Sequence, residues 1–136
     1  MKKITIIIVI LLVLGFFGYK YVYHSHKDIE NATSDFSISV TQLISEYATN
    51  ETEANTKYLD KVISVSGKVK EVTTEATGAI TIFLDSGDPL AAVTCSFYDD
   101  EAASVKGLKP GEEVSIKGKC TGKLMDVVLN KCSIEK

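Results

Sequence analysis

Three cysteines, Cys95, Cys120 and Cys132, are the side chains of this sequence with the greatest potential for chemistry. A thiolate can act as a nucleophile, and two thiols can form a disulfide in an oxidising compartment. Cys120 and Cys132 flank a predicted hairpin whose tip lies near residues 124–126, and residues equally distant from a tip face each other across two strands. We therefore predict a Cys120–Cys132 disulfide. The structural alternative is three small buried hydrophobic side chains, and the functional one is a thiol-redox protein that uses Cys95.

Carboxylates cluster at two places, Asp85 with Asp88 and the run Asp99–Glu101. Such groups could serve acid–base catalysis or bind calcium. The first pair falls in a predicted turn and the run begins a predicted helix, where acidic residues interact favourably with the helix dipole, so we assign both a structural role. His24 and His26 have no cysteine or carboxylate cluster beside them, so no metal site is predicted. The sequence contains no nucleophile elbow or phosphate-binding loop, and we predict neither an enzyme nor a cofactor.

The distribution of charge bears on the class of partner. From Asp28 onward there are 11 lysines and 18 acidic residues, a net charge of about −7, and the chain contains no arginine. Nucleic acid-binding proteins usually present a basic surface and use arginine for bidentate or stacked contacts. A local stripe of positive charge on one strand remains an alternative, formed by Lys117, Lys119 and Lys123. An ordinary solvated strand face explains these lysines as well. Nucleic acid is therefore not the expected partner.

An uncharged apolar run from Ile4 to Tyr19 follows Lys2 and Lys3. As a helix it reaches ~24 Å at about 1.5 Å per residue, and the residues after it can extend it toward a hydrocarbon core of about 30 Å. No small-x-small cleavage triplet follows the run, which favours an uncleaved signal-anchor over a cleaved signal peptide. The two lysines favour a cytoplasmic N-terminus. The run therefore predicts one transmembrane helix.

Three segments follow from this composition. Residues 1–23 are the predicted transmembrane signal-anchor, residues 24–38 a juxtamembrane linker, and residues 39–136 a single folded domain. We expect the protein to cross the cell (inner) membrane once, with its C-terminal domain outside the cytoplasm.

The domain begins with a predicted amphipathic helix over residues 39–59. Ser39 and Gln42 fit a capping box, and apolar side chains follow at spacings of three and four. After Asp60 the period changes to two, which predicts five strands, with a short helix from Asp99 between the third and the fourth. This is the order of the OB-fold, so the predicted fold class is mainly β, a five-stranded Greek-key barrel.

Irregular positions fit the same barrel. Gly67 and Gly118 fall inside strands, at places where barrel strands bend sharply. A slip in the alternation near Asn130-Lys131 indicates a β-bulge in the fifth strand. Because the third and fifth strands adjoin in this fold, a Cys95–Cys132 disulfide is the alternative to the hairpin pair.

Ligands of OB-folds bind on the outer face of the second and third strands. By alternation that face carries two aromatic and three hydroxyl side chains, Thr81, Phe83, Thr94, Ser96 and Tyr98. Phe83 and Tyr98 could stack on a base or a sugar, and packing against the Ser39 helix is the structural alternative. We predict these five residues as the ligand-binding face.

Short motifs distributed over residues 39–135 follow one another in a recognisable order. They are Asn50-Glu51, Ala54, Tyr58, Lys61-Val62, Gly67, Cys95, Pro110-Gly111-Glu112, Gly118-Lys119-Cys120-Thr121-Gly122, Asp126-Val127-Val128-Leu129 and Cys132. Together they resemble an exported bacterial OB-fold family labelled tRNA-anticodon-like, whose members are small lipoproteins or membrane-anchored proteins. The resemblance implies the OB-fold and, by fold analogy alone, tRNA binding. This chain lacks the lipidated cysteine of the lipoprotein members, which leaves the apolar helix as its anchor.

Three functional hypotheses come from these observations. The first is a membrane-tethered, extracytoplasmic OB-fold module that binds a protein, peptide or glycan of the cell envelope. The second is a binding protein for single-stranded or tRNA-like nucleic acid. The third is the thiol-redox protein. The predicted anchor, the acidic domain and the lack of a catalytic motif favour the first hypothesis.

Overall fold

The computed structural model describes the backbone of residues 2–135 and the side chains of these residues except 2, 22–28, 30, 99 and 100, so His24 and His26 lie outside the described side chains. Helix α1 spans Lys2–Asn31. Its segment Lys3–Tyr21 has a mean hydropathy of 2.2 and no buried part, which makes it a candidate membrane span. The helix continues through much of the segment that we predicted as a linker.

A five-stranded barrel forms the domain. Its strands are β2 (Val62–Thr74), β3 (Ile80–Asp85), β4 (Ala92–Phe97), β5 (Glu113–Lys123) and β6 (Val127–Glu135). They neighbour one another in the order β2-β3-β4-β6-β5, and β5 pairs with β2 to close the barrel. The β4–β6 pair is parallel and the other barrel pairs are antiparallel. A short helix, α4 (Asp99–Val105), connects β4 to β5. The predicted OB-fold is confirmed.

A further short strand, β1 (Phe36–Ser39), lies in the segment predicted as a linker. It runs parallel to the first half of β2, with Phe36 opposite Ile63. That edge of β2 is available because β3 pairs only with the second half of β2, from Lys68 onward. The stretch Phe36–Ser39 does alternate with a period of two, but we assigned it to the linker and to the start of the predicted helix, so this strand was not predicted.

The predicted helix over residues 39–59 is two helices, α2 (Val40–Thr49) and α3 (Glu51–Tyr58). The Ser39 half of the predicted capping box is confirmed, since the Ser39 hydroxyl accepts a hydrogen bond from the Gln42 amide at 3.3 Å. The Gln42 side chain donates to the Glu46 carboxylate at 3.4 Å. The break comes at Asn50, whose amide donates to the Glu46 carbonyl while its side-chain oxygen accepts from the Glu53 amide at 3.2 Å. One residue thus ends α2 and caps α3. Because the apolar spacing continues across both helices, the sequence pattern predicted a single helix.

Helices α2 and α3 contribute to a core shared with the barrel. Leu43, Tyr47 and Tyr58 are almost fully buried, and they belong to one apolar cluster with inward-facing side chains of all five barrel strands. Close packing explains the strand glycine Gly67, because a Cβ there would lie 2.5 Å from a methyl group of Val40. The helices therefore pack directly on strand backbone.

The predicted bulge in the last strand is confirmed. Lys117 pairs with Ser133 and Lys119 with Asn130, so β6 contains one residue more than the facing stretch of β5. Lys131 takes the positive φ of 52° that this irregularity requires. The bulge decides which side chains of β6 point into the barrel.

Candidate ligand-binding face

The outer face of β3 and β4 carries four of the five predicted residues. Thr81 pairs with Ser96 and Phe83 with Thr94, and all four are half-buried. The residues between them, such as Ile82, are fully buried. Thr81, Phe83, Thr94 and Ser96 therefore form one continuous outward surface, and their part in ligand binding stays a prediction.

Tyr98 lies apart from this register. It follows the end of β4 and occupies the N-cap position of α4, with 36% of its surface exposed. The strand ends one residue earlier, at Phe97, so the alternation that predicted Tyr98 as part of the face no longer applies at this residue. Tyr98 is at the border of the face.

A cleft of about 170 Å³ opens beside Phe83. Its lining combines one cation, two carboxylates and apolar side chains: Lys70, Glu71, Phe83, Pro89, Leu90, Ala91, Ala92 and Asp126. Phe83 is the only one of the predicted face residues in this lining. The cleft extends the face toward the loop between β3 and β4.

A β-bulge directs two consecutive side chains of β2 toward the cleft. Val69 pairs with Leu84 and Glu71 with Phe83, so Lys70 is the extra residue. Regular alternation would send Lys70 and Glu71 to opposite faces, whereas here both are exposed and both line the cleft. Bulges are frequent beside functional sites because they redirect a side chain in this way. We did not predict this one, although the spacing of three between Val69 and Val72, which both pack on the core, marks the phase slip in the sequence.

Asp126 anchors the β6 side of the cleft. One of its carboxylate oxygens accepts a hydrogen bond from the Ala92 amide at 3.1 Å, and the other accepts from the Thr94 hydroxyl at 3.2 Å. The carboxylate therefore fixes the start of β6 to β4 and orients Thr94 on the face. Sequence reasoning placed Asp126 at a hairpin tip without a partner, because the contact joins residues more than thirty positions apart.

Three large apolar side chains are exposed on two loops next to the cleft. Leu90 is 89% exposed in the loop before β4, and Leu124 and Met125 are 88% and 87% exposed at the tip between β5 and β6. The Asp126–Ala92 hydrogen bond joins these two loops directly. We call these three residues the rim patch. Exposed apolar side chains gathered on neighbouring loops are typical of interaction surfaces.

Asp85 and Asp88 have the structural role that we assigned to them. Asp85 accepts a hydrogen bond from the Gly87 amide at 2.9 Å, and Asp88 accepts one from the Leu90 amide at 2.9 Å. Both carboxylates shape the loop that carries Leu90. Asp99 and Asp100 lie outside the described side chains. Among the described residues, no group of three or more potential metal ligands occurs.

The three cysteines are free and buried, so the predicted Cys120–Cys132 disulfide is not formed in the structure. Cys120 pairs with Leu129 rather than Cys132 because irregularities on both sides of it shift the hairpin register. Its sulfur lies 3.5 Å from the hydroxyl of Tyr47. Cys132 lies in the core, where burial raises the pKa of its thiol well above the usual range.

Comparison with solved structures supports the fold. A lipoprotein from Klebsiella pneumoniae subsp. pneumoniae, described as nucleic acid-binding, superposes with a TM-score of 0.62 at 20% identity, over 74% of this chain and 91% of that one. The S. pombe Stn1–Ten1 complex gives a TM-score of 0.46 at 19% identity, over 54% of this chain and 56% of that one. At 20% identity the likeness to the lipoprotein concerns the fold alone.

Sequence comparison identifies the family. A search of curated proteins finds no match. The family model tRNA_anti-like, in contrast, matches residues 1–134, which include the apolar helix as well as the barrel. The family resemblance derived from the short motifs is therefore confirmed. This chain belongs to the tRNA_anti-like family.

Proposed function

We propose that this protein is a membrane-tethered OB-fold module that binds a protein or peptide of the cell envelope, outside the cytoplasm. Its ligand surface comprises the outer face of β3 and β4, the adjoining cleft and the rim patch. The observation that carries the proposal is the chemistry of the cleft: one lysine and two carboxylates surround Phe83, and the highly exposed Leu90 belongs to the lining. Protein interfaces combine apolar and aromatic anchors at the centre with a polar rim, and Phe83 and Leu90 among these charged side chains fit that arrangement.

The anchor supports the first half of the proposal. Lys3–Tyr21 is long and apolar enough to cross a membrane, and Lys2 and Lys3 before it favour a cytoplasmic N-terminus. The end of α1 is attached to the barrel, since Ile29 is 6% exposed and the ammonium group of Lys117 donates to the Ala32 carbonyl at 2.9 Å. The apolar helix is thus joined to the barrel by contacts at its C-terminal end.

Charge supports the choice of a protein over nucleic acid. The cleft has more carboxylates than cations, and the domain carries a net charge of about −7. In the lysine stripe of β5, Lys117 donates to Ala32 and Lys119 forms a salt bridge with Asp60 at 3.4 Å. Phosphate binding needs cations directed at the ligand, and two members of this stripe are directed elsewhere.

Single-stranded nucleic acid is the second candidate. The description of the Klebsiella lipoprotein, with which this chain shares the fold at a TM-score of 0.62, favours it. OB-folds that bind single strands use aromatic stacking on the same outer face, and Phe83 occupies a suitable place for stacking. A glycan could stack on Phe83 in the same way.

Site-specific photocrosslinking tests the proposal. The full chain carries p-benzoylphenylalanine in place of Leu90 and is irradiated in intact cells, and the matched control carries it in place of Thr52, which is exposed on α3. We expect from position 90 an adduct that neither nuclease nor glycosidase removes, and none from position 52. Glu71→Lys reverses a charge in the cleft without touching the core, and we expect it to weaken the adduct.

The other outcomes identify the alternatives. An adduct that nuclease removes would show that the ligand is nucleic acid rather than protein. An adduct that a glycosidase removes would show that the ligand is a glycan. Equal adducts at positions 90 and 52 would show that the rim patch is not the binding surface.

A further inference from the structure

Four side chains form a row across the ligand face, from β2 to the start of β6. Glu71 of β2 pairs with Phe83 of β3, and Phe83 pairs with Thr94 of β4. The Thr94 hydroxyl then donates to the carboxylate of Asp126 at 3.2 Å. Directly paired residues share a face of the sheet, with Cβ atoms about 4.5–5.5 Å apart. The Phe83 ring therefore has a carboxylate toward β2 and another toward β6.

Neither carboxylate is neutralised by a neighbour. Among the residues that the structure describes, neither Glu71 nor Asp126 takes part in a salt bridge. Asp126 accepts from Ala92 and Thr94, but a carboxylate has about four lone-pair sites, so it can accept further hydrogen bonds. Lys70 lines the same cleft, and one lysine against two carboxylates leaves the lining with a net charge of −1. The cleft thus has acceptors and negative charge to offer a ligand.

The size of the cleft suits one side chain. Its volume of about 170 Å³ is below the range of roughly 300–1,000 Å³ found for pockets that enclose a whole small molecule. Pro89 and Leu90 add apolar walls beside Phe83. A calcium ion requires about six to eight oxygen ligands, which two carboxylates separated by an aromatic ring do not supply. An organic cation with an apolar stem fits the lining better.

We propose that the cleft binds an arginine side chain of the partner, with its guanidinium group stacked on Phe83 between Glu71 and Asp126. The inference rests on the proposed function, since it names the group by which the envelope protein or peptide is recognised. Binding one guanidinium group brings the charge of the cleft from −1 to zero. This electrostatic match selects a partner segment with a single exposed arginine.

The geometry favours arginine over lysine. A guanidinium group is planar, stacks on aromatic rings and directs five N–H donors outward in its own plane. Stacked on Phe83, it can donate toward Glu71 on one side and toward Asp126 on the other, and such charge-assisted hydrogen bonds are the stronger kind. The apolar stem then lies along Leu90. A lysine ammonium group is a compact point charge, which cannot serve both sides of the ring equally.

NMR titration of the full chain tests this assignment. Isotope-labelled protein in zwitterionic detergent micelles is titrated with Nα-acetyl-arginine amide and, separately, with Nα-acetyl-citrulline amide, which has nearly the same shape but no charge. We expect the arginine probe to shift the amide signals of Glu71, Phe83 and Ala92. The citrulline probe should bind about 10-fold more weakly, the equivalent of one charge-assisted hydrogen bond.

Variants of single charges locate the interaction. Glu71→Gln and Asp126→Asn should each weaken binding of the arginine probe several-fold, and both keep the size of the side chain. Lys70→Gln should strengthen binding, because it removes a cation that repels the guanidinium group. The matched control is Glu75→Gln, which changes the net charge equally in the exposed turn after β2 and should bind like the wild type.

Three results overturn the arginine site: equal affinity for the arginine and citrulline probes, unchanged affinity in both Glu71→Gln and Asp126→Asn, or tighter binding of Nα-acetyl-glutamate amide than of the arginine probe. Failure of this inference is distinguishable from failure of the proposed function. A crosslinked protein at position 90 without binding of the arginine probe keeps the envelope partner and overturns the arginine site. Selective binding of the arginine probe without any crosslinked protein supports the site and contradicts the proposed partner.

Discussion

The side chain of Val40 at the start of α2 rests against the backbone of Gly67 in β2. A Cβ built on Gly67 would lie 2.5 Å from the Val40 Cγ2 atom and 3.2 Å from its Cβ atom. The valine is almost fully buried, so neither partner can move into solvent. The contact fixes the distance between the helix pair and the barrel.

Gly67→Ala should therefore destabilise the protein. The added methyl group overpacks a buried contact, which typically costs 1–3 kcal/mol. Val40→Ala removes the clashing methyl groups, so the double variant should lose less stability than the sum of the two single variants. Thermal unfolding of the full chain in detergent measures all four proteins. A strictly additive cycle would show that Val40 and Gly67 are not in contact.

Glu46 joins the two helices across their break at Asn50 and makes stability depend on pH. Its carboxylate accepts hydrogen bonds from the Tyr58 hydroxyl at 2.7 Å and from the Lys57 ammonium at 3.0 Å. These contacts, the Tyr58 hydrogen bond first, lower the pKa of Glu46 below its ordinary value of 4.5. Because the folded pKa is the lower one, the stabilisation is present above 4.5 and is lost as pH falls through the folded pKa.

We accordingly expect Glu46→Gln to lower the unfolding midpoint at pH 7, with a free-energy cost on the order of 1 kcal/mol. The gap between wild type and variant should narrow progressively below pH 4.5. Thermal unfolding followed by circular dichroism over an acid pH series gives the comparison, with Glu75→Gln in the exposed turn after β2 as the control. A gap that stays constant into acid would contradict the assignment.

Much of the barrel could be predicted from the sequence, because one buried and one solvated face impose a period of two over most strands. The same alternation placed Thr81, Phe83, Thr94 and Ser96 on one surface. It failed for Tyr98, where the strand had already ended. Local sequence motifs, such as the helix cap at Ser39, could be predicted as well.

What escaped prediction depends on register and on distant contacts. The bulge at Lys70 turns two charged side chains to the cleft, and its single mark in the sequence is the spacing of three between Val69 and Val72. The hairpin pairing of Cys120 with Cys132 assumed an undisturbed register, and the irregularities in β5 and β6 moved Leu129 into that place. Asp126 reaches Ala92 only because the barrel brings β4 and β6 together, which no local pattern encodes.

Asp126→Ala should weaken the attachment of β6 to β4. It leaves the buried Ala92 amide and the Thr94 hydroxyl without their acceptor, a loss of about 1–3 kcal/mol. Asp126→Asn is the matched control, since its side-chain oxygen can still accept from Ala92 and its amide can donate to Thr94. Urea unfolding of the three proteins decides the matter. Equal losses for alanine and asparagine would mean that the charge, rather than the hydrogen bonds, holds the strand.

Weak, strongly salt-dependent binding to single-stranded RNA and DNA is the last expectation. Lys119 is paired with Asp60 and Lys117 with the Ala32 carbonyl, while Glu71 and Asp126 border the face on which a base would stack. Repulsion from these carboxylates and a net charge of about −7 oppose the phosphates. Fluorescence anisotropy with the full chain and labelled oligonucleotides should give a Kd weaker than ~10⁻⁶ M at physiological salt, the usual non-specific range. Glu71→Lys should tighten binding if the oligonucleotide lies in the cleft. A tight complex of the wild-type chain that Phe83→Ala abolishes would instead establish nucleic acid as the ligand of this face.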